Sequence, residues 1–232
     1  MSRPTFPELH EKSKIIIRAI SDGLKATFDN NGYYIDQKLI ICSKRYEIEK
    51  YIVTSKRPKT KHLNNNNLID DVATLALLNS KLYSYYYNVM LKGGVSILPE
   101  DIRNFPVFLF NVESQQPFIE KANQMLSFNK ELQLLAQKFQ RTLQRKFELG
   151  ALPKKLQDWY VLSYADFIKE LSKQKVKLSL SQEAQWEDYF SAEAKKASAI
   201  KNEIDATDKA IDGMVYELYG LTDEEIKIVE RG

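Results

Sequence analysis

The chain has 232 residues, enough for one large domain or two small ones with a sizeable core. Its 34 basic and 31 acidic side chains leave a formal charge of +3, and 44% hydrophobic residues with 11% aromatics exclude a chain disordered throughout. The single cysteine, Cys42, excludes an internal disulfide. Together with only two histidines, His10 and His62, it excludes a zinc framework, so no metal site is expected. No apolar run approaches the ~20 residues of a membrane helix and the opening MSRPTFPELHEKSK has no signal-peptide character, so no membrane partner and a reducing, cytoplasmic setting are expected.

The first section, to about Asn111, reads as mixed α/β. KIIIRAI (Lys14 to Ile20) is a β-branched run suited to a buried strand. Asn30, Asn31 and Gly32 supply turn chemistry before YYIDQKLIIC, whose apolar ends flank a polar centre and predict two short strands with a tight connection. From Leu68 the period changes. Ile69, Val72, Ala76, Asn79, Leu82 and Tyr86 recur every 3 or 4 residues and predict one helix through LIDDVATLALLNSKLYSYYY, ended by Gly93 and Gly94. Pro99 starts a new turn, and FPVFLF closes the section as a strand.

The second section is helical. From Pro117, read as a first-turn proline, Phe118, Ala122, Met125, Leu132, Ala136, Phe139 and Leu143 follow a 4-3 alternation with Asn129 in the one gap, the seam of a coiled coil. Gly150 and Pro153 stop this helix. After a linking region from LQDWYVLSYADFIKEL to VKLSL, a second seam carries Trp186, Phe190, Ala197, Ile200, Ile204, Ile211, Val215 and Leu218, and the simplest arrangement folds it antiparallel on the first. Thr222 and Glu225 have the spacing of a capping box for a last short helix. The expected fold class is therefore α+β: a mixed α/β lobe over residues 1–112 and a long antiparallel, coiled-coil-like helical region over 113–232.

A search for catalytic residues returns none. There is no GxGxxG, Walker or GxSxG sequence. Glu225 and Lys227 have the acid-x-Lys spacing found in nucleases but lack a preceding Pro-Asp partner. Asp205, Asp208 and Asp212 read better as a solvated helix face than as paired carboxylates. Charge is the stronger signal. Residues 1–110 carry 16 basic and 11 acidic side chains, and within 38–61 the cations Lys38, Lys44, Arg45, Lys50, Lys56, Arg57, Lys59 and Lys61 face only Glu47 and Glu49. Such a stretch, followed by Asn64, Asn65, Asn66 and Asn67, suits phosphates and base edges, and equally a solubilising loop. The tyrosines at 83, 85, 86 and 87 have faces on which bases stack, yet Tyr83 and Tyr86 share the helix face of Leu82, which favours core packing.

Three blocks, the segment from RPTFPELHEKSKIIIRAI to DQKLIIC, then LALLNSKLYSYYYN, then LPEDIRNFPVF, resemble the TaqI-like C-terminal specificity domain of single-chain type II restriction–modification enzymes with adenine methyltransferase activity. The tail IDGMVYELYGLTDEEIKIVE resembles the end of the same enzymes, and the LNS helix followed by IRNFPV also resembles target-recognition domains of type I specificity subunits, which pair such domains with spacer helices.

The resemblance implies a chain that chooses a DNA sequence while chemistry is done elsewhere. Relatives methylate adenine with S-adenosylmethionine in an upstream domain bearing an Asn-Pro-Pro-aromatic motif, which this sequence lacks, so that cofactor belongs to a catalytic domain outside these residues, joined in cis or as a partner subunit. The implied partner is double-stranded DNA. Lys38, Lys44, Arg45, Lys56, Arg57, Lys59 and Lys61 would contact phosphates; Asn64 to Asn67, with Gln37, Lys92 and Arg103, would read base edges; and the long helices would act as a spacer. Two other readings stand beside this one: a helical module that docks a methyltransferase or nuclease partner, with Asn129 setting its register, and a fragment of a type I specificity subunit.

Overall fold

The computed structural model describes residues 7–36, 38–43, 69–91, 96–103, 105–107 and 111–232. Two compact units form, one from Met1–Asn123 together with Lys209–Gly232 and the other from Gln124–Asp208. The fold class is α+β, a small antiparallel sheet accompanied by a long helical region.

In the first unit a short helix α1 (Pro7–Glu11) precedes three strands, β1 (Lys14–Arg18), β2 (Ala26–Asp29) and β3 (Leu39–Cys42), ordered β2-β1-β3 with both pairings antiparallel. Ile15, Ile16 and Ile17 make β1 the central strand because both of its faces are covered, and stiff β-branched side chains fit that position. The strand expected at Tyr33 to Ile35 is absent; the partner of β1 lies earlier, at Ala26–Asp29. The cause is local. Asp29 accepts the amides of Asn31 (2.9 Å) and Tyr33 (3.0 Å), and His10 Nδ1 accepts that of Ile35 (3.2 Å), so side chains take the amides a ladder would need. Tyr34 stacks on His10, with ring centroids 4.9 Å apart. Gly32, at φ +72°, passes so close to Glu11 that a Cβ would meet its carbonyl oxygen at 3.2 Å.

The single helix expected from Leu68 is two helices. α2 (Asp71–Asn79) is capped by Asp70, and at Ser80 the backbone turns extended. The Ser80 hydroxyl accepts the Tyr83 amide and starts α3 (Lys81–Tyr86), which widens into a π turn over Tyr87–Leu91. This break resets the rotation of the chain. The buried residues are consequently Ala73, Leu75 to Leu78, Tyr83 and Tyr87, whereas Ile69, Val72, Leu82 and Tyr86 are half-buried and Asn79 is exposed. After α4 (Pro99–Arg103), Phe105 to Val107 are irregular and not the expected strand, because two tyrosine hydroxyls take the Pro106 carbonyl. Residues 108–110 lie outside the described ones.

α5 (Val112–Phe147) begins five residues before Pro117, where Asn111 Oδ1 accepts the Ser114 amide at 2.8 Å, so Pro117 sits inside the helix. The expected seam is the buried stripe: Phe118, Ala122, Leu132, Ala136, Phe139 and Leu143 are buried and Met125 is half-buried. Asn129 is exposed and donates to the Met125 carbonyl of its own helix (2.8 Å), so it takes no part in packing α5 within the unit.

In the second unit α5 runs antiparallel to α8 (Leu180–Tyr219): Phe147 meets Trp186 (ring centroids 5.1 Å apart), Phe139 meets Phe190 (6.1 Å), and Leu135 shares a groove with Ile200. The link between them, α6 (Lys154–Gln157), a 3₁₀ turn and α7 (Tyr164–Lys173), inserts Leu156, Trp159, Phe167 and Leu171 into the same cluster, where Phe139 stacks on Trp159 at 3.8 Å. Glu193 and Thr207, absent from the sequence-based seam, are buried in it. Lys196, one turn on, neutralises Glu193 at 2.5 Å. Gly220, at φ +65°, ends α8, and Thr222 with Glu225 forms the expected capping box of α9 (Asp223–Arg231). Glu225 is thereby a structural group, and Asp205 pairs with Lys201 on an exposed face, whereas Asp212 is buried.

Candidate nucleic-acid interface

The blocks that carry the family resemblance converge in the first unit as a scaffold. Asn79 bonds Ala26 reciprocally, accepting its amide (2.8 Å) and donating to its carbonyl (3.0 Å). Ser84 accepts the Leu24 amide (3.2 Å), and Asn88 donates to the Asp22 carbonyl (3.1 Å). Three polar residues, one each on α2, α3 and the π turn, thus hold the β1–β2 loop and the start of β2 in place. Gly23 lets the loop approach, since a Cβ there would lie 2.9 Å from Ser84 Oγ. Phe105 stacks on Tyr83 (5.1 Å), and the hydroxyls of Tyr83 and Tyr219 both donate to the Pro106 carbonyl, at 3.2 and 2.7 Å. Burial and the Tyr219 hydroxyl push the Tyr83 phenol far above its ordinary value, so it acts as a neutral donor. From the tail, Asp212 accepts the Lys81 amide (2.8 Å), while Glu230 pairs with Lys81 (2.5 Å) and accepts the Tyr216 hydroxyl (2.8 Å). These partners hold the Glu230 carboxyl below the usual carboxylate range, Lys81 most strongly.

That scaffold fixes one end of the sheet. Arg18 ends β1, Lys25 precedes β2 and Lys38 precedes β3. The Arg18 amide donates to the Lys25 carbonyl and the Ala19 amide to the Lys38 carbonyl, each at 2.9 Å. Arg18 and Lys25 are therefore cross-strand neighbours, whereas Arg18 faces Leu39 on the other side and Lys38 lies opposite Ala19, one residue further along. All three side chains are exposed, and none forms an ion pair among the described residues. Like charges facing each other across strands cost stability, a cost that an anionic ligand removes. Sequence analysis singled out Lys38 but missed Arg18 and Lys25, because only sheet register brings together residues so spread along the chain.

The other expected contacts fare differently. Arg103 is exposed on α4 but paired with Glu100, one turn away, which reduces its free charge. Gln37, Lys44, Arg45, Lys56, Arg57, Lys59, Lys61, Asn64 to Asn67 and Lys92 lie outside the described residues. Tyr83 is a core residue, as the packing reading of that run requires, whereas Tyr86 is half-buried and Tyr87, outside that reading, is buried. Burial pushes the Cys42 thiol up, with a smaller contribution from Asp71, so it is not an activated nucleophile.

The described residues do not fit S-adenosylmethionine. Their three strands are all antiparallel, and no strand runs through a glycine turn into a helix that would present backbone amides to the donor. Among the described residues no group of His, Cys, Asp and Glu has metal-ligand geometry, and no helix is long and apolar enough to cross a membrane.

Residues 1–107 match the family model of the TaqI-like C-terminal specificity domain, and residues 111–215 match that of a domain of unknown function, DUF8810. No curated protein and no solved structure matches the chain.

Proposed function

We propose, from the premise that residues 1–107 are a TaqI-like C-terminal specificity domain, the target-recognition part of a restriction–modification system, that this chain selects the double-stranded DNA sequence on which an adenine methyltransferase acts. The observation that carries the reading beyond the family match is the cross-strand pair Arg18 and Lys25, exposed cations at one end of the sheet, with the exposed Lys38 one residue further along. In this mechanism Arg18, Lys25 and Lys38 contact phosphates and fix register, together with the cations of residues 44–61, while the asparagines at 64–67 and Lys92 and Arg103 read base edges.

Methyl transfer, with S-adenosylmethionine as donor, belongs to a separate domain, joined in cis as in the single-chain type II enzymes and acting in the cytoplasm. An adenine has to leave the duplex to reach such a site, and a recognition lobe gripping the DNA beside it holds the opened complex. The long helices support the lobe.

Fluorescence anisotropy on short duplexes over a series of salt concentrations tests this. Exchanging both Arg18→Ala and Lys25→Ala should weaken binding to all sequences alike and flatten the slope of log K against log salt by about 2. An unchanged slope removes these residues from the interface. No binding by the unaltered chain at low salt favours instead the module that docks a protein partner.

A further inference from the structure

The second unit carries an apolar groove that its own core does not fill. Leu134 and Leu135 of α5 and Ala199 and Ile200 of α8 form its floor, and Leu134 is 54% exposed although leucines on this helix otherwise pack inward. Glu131 and Lys138 stand at the two ends of its α5 rim. Neither forms an ion pair among the described residues. On the α8 rim, Lys196 is already neutralised by Glu193. The groove therefore has an apolar middle, one unspent acid and one unspent base.

The placement of those two charges identifies the occupant. Seven residues apart, they lie on one helix face ~10 Å from each other, and their midpoint falls between Leu134 and Leu135. A second α5 laid antiparallel about that midpoint sets Glu131 against Lys138 of the other copy, twice, and closes leucine on leucine. A parallel copy would set like charge on like. Residue i meets j while j meets i, which is the self-complementarity a twofold interface requires. We propose that the chain forms a twofold dimer through this groove, with Leu134 and Leu135 as its centre and two Glu131–Lys138 pairs as its rim.

One helix pair buries little area, so the association should be weak, with a Kd on the order of 10–100 μM, and weaker in high salt. Sedimentation equilibrium of the full chain over a concentration series should show a monomer–dimer equilibrium. Glu131→Lys alone and Lys138→Glu alone each place like charges together and should raise Kd about tenfold. Combining the two swaps restores opposite charges and should bring Kd back to near the starting value. Leu134→Gln should abolish the dimer. These positions are exposed, so circular-dichroism melts should match the parent chain. The proposal is overturned if the chain stays monomeric to about 1 mM, the result expected if another protein or a preceding domain covers the groove. A doubly swapped chain as weak as the single variants overturns it equally.

Discussion

Lys14 is the least expected residue in the molecule. It is an ammonium buried at the start of the central strand, with a side chain 0% exposed beside Asp29 at 3%. Asp29 neutralises it and the His10 carbonyl accepts from it at 2.6 Å, while two further amides donate to Asp29. Burial pushes the Asp29 carboxyl up, but the Lys14 hydrogen bond and the amides of Asn31 and Tyr33 outweigh it, and the net position is below the usual range. A carboxyl held low in the folded state contributes stability above its unfolded value near pH 4, and that contribution is lost as pH falls through the folded value. Asp29→Asn keeps the shape but strands the Lys14 charge, and should cost about 3 kcal/mol at pH 7. The gap to the parent chain should narrow below pH ~4, where the parent's own carboxyl takes up its proton. Urea midpoints at pH 7 and pH 3 check both statements, and a gap that does not depend on pH contradicts them. None of this was legible in KIIIRAI, where a terminal lysine reads as the exposed edge of an apolar run; its partner arrives from another strand.

At the scale of elements, period decided what could be read. The α5 seam was visible because each turn repeats the same requirement over 36 residues, and the buried stripe follows the 4-3 alternation through Leu132, Ala136, Phe139 and Leu143. The α8 seam was legible except at Glu193 and Thr207, since a polar residue at a seam position reads as a gap; Glu193 becomes tolerable there only because Lys196 neutralises its charge. Shorter elements were lost to side-chain chemistry. Ser80 can cap a helix or sit within one, and a strand at Tyr33 to Ile35 gave way to the side chains of Asp29 and His10. The antiparallel pair rests on Phe139, which is fully buried and in ring contact with Trp159, Phe167, Trp186, Tyr189 and Phe190. Phe139→Ala should cost about 3–5 kcal/mol. Both tryptophans lie in this cluster, so their fluorescence reports its unfolding, and an unchanged urea midpoint would show that the cluster does not hold the helices together.

At the scale of the whole molecule, the candidate interface was half legible. Composition pointed to residues 38–61, but the pairing of Arg18 with Lys25, at the sheet end where Lys38 also lies, exists only once strand register is known. The tail is the same kind of case. Lys209–Gly232 belongs to the first unit, tied to it through Lys81 and Pro106 across separations of 149 and 113 residues that no local pattern announces. Ending the chain at Asp208 should therefore unfold the sheet. Hydrogen exchange of the Ile15 to Ile17 amides, slow in the full chain, should become fast in the shortened one. Amides that stay protected would show that the tail merely rests on the unit.

The closure of the first unit by residues made after the second also sets an order of events during synthesis. On the ribosome, Met1–Asn123 emerges well before Lys209–Gly232, and contacts spanning more than 100 residues form slowly even in a finished chain. Gln124–Asp208 can assemble first from largely helical, local contacts, while the earlier-made lobe waits for its final partner. A nascent chain thus leaves its basic sheet end without this support until Lys209–Gly232 has been made.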